Sequence, residues 1–203
     1  MVVHNLKCVV IGDSGVGKSS LLTRFVKGEF RGTGGTRSTI SAAFLERQVD
    51  LGDGVSVKLE IWDTAGQERF RSLNTPMYYR GAAGAVLVYD ACNAESWRNV
   101  PGWYSQLRMM GERDCQVALC ASKLDLALEG RRVVDPKDAR AFVDSQRIPV
   151  FQETSAKTGD NVEDLFVGLA RAMVQAGAAA KSNLGKPNKV KLEMPPARSS
   201  SCC

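Results

Sequence analysis

One stretch limits what this chain can fold into more than any other: Gly12-Asp13-Ser14-Gly15-Val16-Gly17-Lys18-Ser19, which fits the phosphate-binding pattern G-x-x-x-x-G-K-[ST]. Leu6-Lys7-Cys8-Val9-Val10-Ile11 before it is a short apolar run that reads as a buried strand. Ser20-Leu21-Leu22-Thr23-Arg24-Phe25-Val26 after it carries apolar residues at helical spacing. A strand, a small-residue loop and a helix opening are what the motif requires. Small residues let backbone N–H groups close around phosphate oxygens, and the helix start adds a positive dipole. Ser14, Gly15, Val16, Gly17 and Ser20 are thereby candidate lining residues of a phosphate cradle. The Lys18 ammonium would reach the outer phosphates, and the Ser19 hydroxyl would ligate magnesium.

The chain has 203 residues, 44% of them hydrophobic, enough to bury one α/β core. One domain over residues 1–176 and a tail over 177–203 is the expected division. No apolar run approaches the ~18 residues of a membrane span. The first residues lack the charged-then-apolar order of a signal peptide. A reducing compartment follows, so Cys8, Cys92, Cys115 and Cys120 are expected as small buried hydrophobes. The net charge is +5, and Lys181, Lys186, Lys189, Lys191 and Arg198 against Glu193 put 5 − 1 = +4 of it in the tail. A nearly neutral remainder argues against nucleic acid as a partner, whereas a basic tail suits an anionic membrane surface.

Beyond the first helix, Arg31-Gly32-Thr33-Gly34-Gly35-Thr36-Arg37-Ser38-Thr39 reads as a mobile loop. Residues 43–51 and 55–62 are strand-like and joined by Gly52-Asp53-Gly54, a hairpin signal. Further strands are expected over 84–90, 117–121 and 149–152, and helices over 96–110, 136–143 and 162–175. Past Gly177 the composition reads as disordered linker. Strands alternating with helices give a P-loop α/β fold: a mainly parallel six-stranded sheet, one antiparallel edge strand, helices on both faces. In such sheets ligands sit beyond the carboxyl ends of the strands, where each motif here would lie.

Three more stretches narrow the ligand. Trp62-Asp63-Thr64-Ala65-Gly66 ends a strand in an acid suited to hold magnesium through water, and Gly66 can offer its N–H to a terminal phosphate. In Ser122-Lys123-Leu124-Asp125 a carboxylate can accept two parallel hydrogen bonds from the N1–H and 2-amino groups of guanine, which adenine cannot supply. Thr154-Ser155-Ala156-Lys157 would close the base pocket with backbone donors to the guanine oxygen.

With these residues in this order the sequence resembles the Ras superfamily of small GTPases, and within it the Rab family. The resemblance covers residues 6–176. It is carried further by Lys58-Leu59-Glu60-Ile61-Trp62, Arg69-Phe70-Arg71-Ser72-Leu73 and Tyr78-Tyr79-Arg80-Gly81-Ala82. Ser38-Thr39-Ile40 with Ala42-Ala43-Phe44-Leu45 is most similar to the Rab5 group of endosomal traffic. Ser201-Cys202-Cys203 resembles the Rab double-cysteine signal for two geranylgeranyl groups. The resemblance implies a GTP/GDP switch with bound magnesium that hydrolyses GTP slowly, acts as a monomer and cycles between cytosol and intracellular vesicle membranes. Its implied partners are an exchange factor, an activating protein, effectors and a prenyl-binding escort protein. Thr39 would grip magnesium and the γ-phosphate, Gln67 would orient the attacking water, and Phe30 would lie against the guanine edge. Phe44, Trp62 and Tyr79 would form an apolar effector triad.

Two departures stand out. Ser122 occupies a place where the family usually has Asn, and residues 31–37 form a loop about two residues longer and richer in glycine than in the Rab5 group. Alternatives remain open at this stage: Phe44 and Trp62 as ordinary sheet residues, Cys202 and Cys203 as an unmodified pair. A P-loop kinase or a nucleotide-locked scaffold are the rival functions.

Overall fold

The computed structural model describes residues 2–30, 43–63 and 76–184. Its strands are β1 (Val2–Ile11), β2 (Ala43–Gly52), β3 (Val55–Asp63), β4 (Gly84–Asp90), β5 (Gln116–Ser122) and β6 (Val150–Glu153). They form one sheet in the order β2-β3-β1-β4-β5-β6. Every neighbouring pair is parallel except β2 and β3, the predicted hairpin, so the antiparallel strand lies at the edge.

Side-chain alternation divides the core into two layers. On one face Cys8 and Val10 of β1, Val86 and Val88 of β4, and Ala118 and Cys120 of β5 meet helices α1 (Lys18–Lys27) and α7 (Val162–Leu184). Phe25 of α1 and Phe166 of α7 stack there at 3.9 Å. On the other face Val9, Ile11, Leu87, Tyr89, Val117 and Leu119 pack with Val100, Trp103 and Leu107 of α4 (Val100–Met110) and Ala139 of α6 (Pro136–Gln146). With helices on both sides, the central strands are apolar throughout, which is why they read as continuous runs.

Four elements depart from expectation. Strand β1 begins at Val2, because its first half pairs with β3 alone and meets β4 only from Cys8 onward. Among the described residues no second strand pairs with that half, so His4 and Asn5 are tolerated and the apolar signal fades. The single helix expected over 96–110 is two, α3 (Ala94–Arg98) and α4, divided at Asn99. Pro101 has no N–H to continue the ladder, so the chain restarts there. After β5 come a short helix α5 (Leu124–Leu126) and one π-helical turn (Ala127–Arg131), which carry no apolar period. Helix α7 runs to Leu184 rather than stopping near Gln175, since Ala178, Ala179 and Ala180 favour helix by backbone propensity alone.

Among the described residues no helix is long and apolar enough to cross a membrane. Cys8, Cys115 and Cys120 are buried, as expected, and burial pushes the Cys120 thiol up to about 12 and that of Cys115 to about 11. Cys92 is only half-buried, because it sits in the turn after β4.

Candidate functional site

Each predicted nucleotide motif within the described residues lies at the carboxyl end of a parallel strand, on one edge of the sheet. The loop after β1 curls through Gly12, Gly15 and Gly17 at φ +139°, +74° and +100°, values that favour glycine. A Cβ on Gly12 would stand 2.1 Å from the Val88 carbonyl oxygen, so this stretch of loop lies directly on β4. Val16 is buried beneath the loop, while Ser14 and Gly15 are exposed at its crest. Gly17 begins α1 without a side-chain cap, and N–H groups of a first helical turn, here those of Ser19 and Ser20 included, are of the kind that receive an anion. The Lys18 ammonium arches back over the loop and donates to the carbonyls of Gly12 (2.7 Å) and Asp13 (2.6 Å).

Two oxygens suited to a hard cation meet beside it. The Ser19 hydroxyl donates to Asp63 Oδ2 at 2.7 Å, joining the first turn of α1 to the end of β3. A hydroxyl and a carboxylate next to a phosphate cradle form a donor set that fits magnesium.

The base side is built from the loops after β5 and β6. Leu124 N–H donates to the Thr154 carbonyl (2.9 Å), and Thr154 N–H donates to that of Ala121 (2.7 Å). The Ser155 hydroxyl donates to Asp125 Oδ1 at 2.8 Å, with Lys157 Nζ 3.9 Å from Oδ2. Lys123 adopts a left-handed conformation (φ +61°) and pairs with Asp90 at 2.7 Å. Ala156 is partly buried and Lys157 exposed in the same loop, and Phe30 is partly buried just past the C-terminus of α1.

Ser122 links the two halves. Its hydroxyl lies 2.5 Å from the Val16 carbonyl oxygen and 2.9 Å from that of Tyr89. One hydroxyl carries one proton, so it can donate fully to only one of these and has none for a base. An Asn here carries two N–H donors and could hold the phosphate loop while contacting the nucleotide. Ser122→Asn is therefore expected to slow GDP release about fivefold, the equivalent of roughly 1 kcal/mol for one net hydrogen bond. Release of fluorescent GDP into excess unlabelled nucleotide measures this, and an unchanged or faster rate would reject it.

The aromatic surface needs one correction. Phe44 lies opposite Trp62 in the β2–β3 register, with ring centroids 5.3 Å apart, and is 48% exposed. The third ring is Tyr78, whose centroid is 6.5 Å from that of Trp62. Tyr79, the residue expected in the triad, is 6% exposed and belongs to the core. Both tyrosines sit in the single helical turn α2 (Pro76–Tyr79), where consecutive side chains diverge by about 100°, so only one can face outward. The tandem Tyr-Tyr string does not say which.

Sequence reading also missed a contact of the phosphate loop. Both carboxylate oxygens of Asp13 accept hydrogen bonds, from Asn99 Nδ2 (2.6 Å) and from Trp103 Nε1 (2.7 Å). Trp103 reads as a plain core position by its helical spacing, and only its indole N–H hints at a polar duty. Thr39, Gly66, Gln67, Cys202 and Cys203 lie outside the described residues.

Residues 7–175 match the sequence model described as "Ras family". The chain is similar to "GTP-binding protein ypt5" of Schizosaccharomyces pombe, 47% identical over 173 residues that span 85% of this chain and 80% of that protein.

Proposed function

The chain belongs to the Ras family, as a small GTPase of the Rab type, and from that premise we propose a residue-level account of how it binds and slowly hydrolyses GTP and recruits effectors in vesicle traffic. One observation carries the account. The ends of β3 and β5 and the stretches that follow β1, β5 and β6 are bonded to one another through Ser19–Asp63, Ser122–Val16 and Ser155–Asp125, so phosphate and base determinants form one assembly.

Lys18 and the loop N–H groups bind and neutralise the phosphates, and Asp125 reads guanine. Ser155, Ala156 and Lys157 close the base pocket, and Phe30 lies along its edge. Ser19, Thr39 and Asp63 would hold magnesium, which when bound supplies positive charge at the outer phosphates. In this class catalysis is positioning plus neutralisation of phosphate charge, with little covalent work for the protein. Gln67 orients the attacking water. Lys18 alone among the residues assigned here brings a full positive charge to the phosphates. Intrinsic turnover is accordingly slow, and an activating protein supplies a further cation. Thr39 and Gly66 follow the γ-phosphate, so the state of the nucleotide sets the shape of their loops.

Phe44, Trp62 and Tyr78 offer effectors an apolar face. The basic segment 177–203, lipidated at Cys202 and Cys203, anchors the protein to endosomal or other vesicle membranes, since two lipid chains with basic charge give stable attachment where one does not. An escort protein shields those lipids in the cytosol, and an exchange factor reloads the site.

A fractionation experiment in cells tests the account in both parts. Gln67→Leu is expected to stay GTP-loaded, with hydrolysis reduced at least about tenfold, and to remain on membranes. Cys202→Ser with Cys203→Ser is expected to move to the soluble fraction while still binding GTP. Rapid hydrolysis by the first variant would defeat the catalytic assignment. Unchanged membrane recovery of the second would defeat the lipid one.

A further inference from the structure

One guanidinium holds both walls of the base pocket from behind. Arg24, on α1, donates from Nε to the Ala156 carbonyl (2.7 Å), from Nη2 to that of Lys157 (2.8 Å) and from Nη1 to that of Gly28 (2.6 Å). Gly28 is fixed at its other end as well, its N–H donating to the Arg24 carbonyl at 2.9 Å. Gly28 leads to Phe30, and Ala156 and Lys157 follow Ser155.

The contacts continue to the base-reading carboxylate. C=O and N–H point opposite ways across a trans peptide. Holding the Lys157 carbonyl toward Arg24 therefore turns the next N–H, that of Thr158, the other way. That N–H donates to Ser155 Oγ at 3.2 Å, and Ser155 Oγ donates to Asp125 Oδ1 at 2.8 Å. An unbroken series of bonds runs from Arg24 to Asp125. The magnesium-side pair, Ser19 and Asp63, lies at the opposite end of α1, and from Ser19 to Arg24 the helix rises about 7.5 Å.

We propose that Arg24 is a positioning residue for base recognition: it aims Asp125 through Lys157, Thr158 and Ser155, and holds the Phe30 segment through Gly28. The proposal rests on the reading above that Asp125 faces guanine. Only a planar fork serves, because the carbonyls are reached by separate nitrogens, and a lysine presents a single one.

The test uses the full chain loaded with fluorescent GDP or with fluorescent inosine diphosphate, which lacks the 2-amino group that Asp125 would bind. Release is followed after addition of unlabelled nucleotide, with and without a magnesium chelator. Arg24→Ala and Arg24→Gln are expected to release GDP at least about tenfold faster, the scale for losing hydrogen bonds from a charged donor. Inosine diphosphate release should rise by a smaller factor, so the preference for guanine narrows. The factor by which chelator quickens GDP release should match wild type, because the magnesium-side residues are intact. Arg24→Lys should behave more like Arg24→Ala than like wild type, and it keeps the test available should the alanine variant fail to fold.

Wild-type GDP release in these variants would overturn the proposal, as would equal acceleration of both nucleotides, the mark of a generally loosened fold. Full rescue by lysine would overturn it too. Asp125→Asn separates the two levels of the argument. If that variant still prefers GDP to xanthosine diphosphate, the base-pocket reading is what fails. If it switches preference while the Arg24 variants remain like wild type, only the role of Arg24 falls.

Discussion

Asp125→Asn is expected to exchange guanine for xanthine as the preferred base, with guanine affinity falling by about three orders of magnitude, the scale on which a polar recognition site rejects a mismatched partner. An ionised carboxylate is an acceptor only, and guanine offers it N1–H and a 2-amino group side by side. An amide turns one of those contacts into a meeting of two donors. Xanthine, with an oxygen at position 2, restores the complement. The surroundings sharpen the effect, since the Asp125 side chain is 13% exposed and Ser155 already holds Oδ1. The remaining acceptor capacity is thus aimed in a defined direction, and little water is available to repair a mismatch. Competition binding of guanosine and xanthosine diphosphates to each protein measures the exchange. A variant that still favours guanine would remove Asp125 from the base.

Gly12→Ala is expected to damage the fold itself. At φ +139° an L side chain is strained, and its Cβ would lie 2.1 Å from the Val88 oxygen, inside contact distance of a backbone atom in the central sheet. Neither neighbour can move cheaply, because Val88 is 1% exposed and pairs with Cys120 in β5. Backbone strain and overpacking each cost about 1–3 kcal/mol. Together they predict a melting temperature lower by roughly 10 °C for a domain of this size. Phosphate affinity should fall in parallel, since the Gly12 carbonyl accepts a hydrogen bond from the Lys18 ammonium. Thermal melts in the presence and absence of GDP check both effects. A variant with wild-type stability would mean that the loop does not rest on β4 in this way.

Much of the fold was legible because its central strands lie between two helical layers and are apolar on both faces. Residues 84–90 and 117–121 read as strands and fold as β4 and β5 with little change of limits. The nucleotide site was legible for a different reason, since phosphate and guanine each demand particular residue types at fixed spacing. Legibility failed where a residue's direction, not its type, decides its role. Tyr78 and Tyr79 are the same amino acid, and only the rotation of one helical turn sends the first toward Trp62 and the second into the core. Arg24 offers no motif, because its partners are carbonyl groups that every residue possesses. The rival kinase reading ends with membership of the Ras family.

An acid inside an anion cradle ought to repel its guest. Asp13 escapes that conflict because its two oxygens are occupied by the amide of Asn99 and the indole of Trp103, donors from the layer beneath. The bend of the loop is thereby buttressed from α4 and the residue before it, and holds its curvature before any ligand arrives. Less ordering then has to accompany association, which favours tight capture over a loop that must first be shaped.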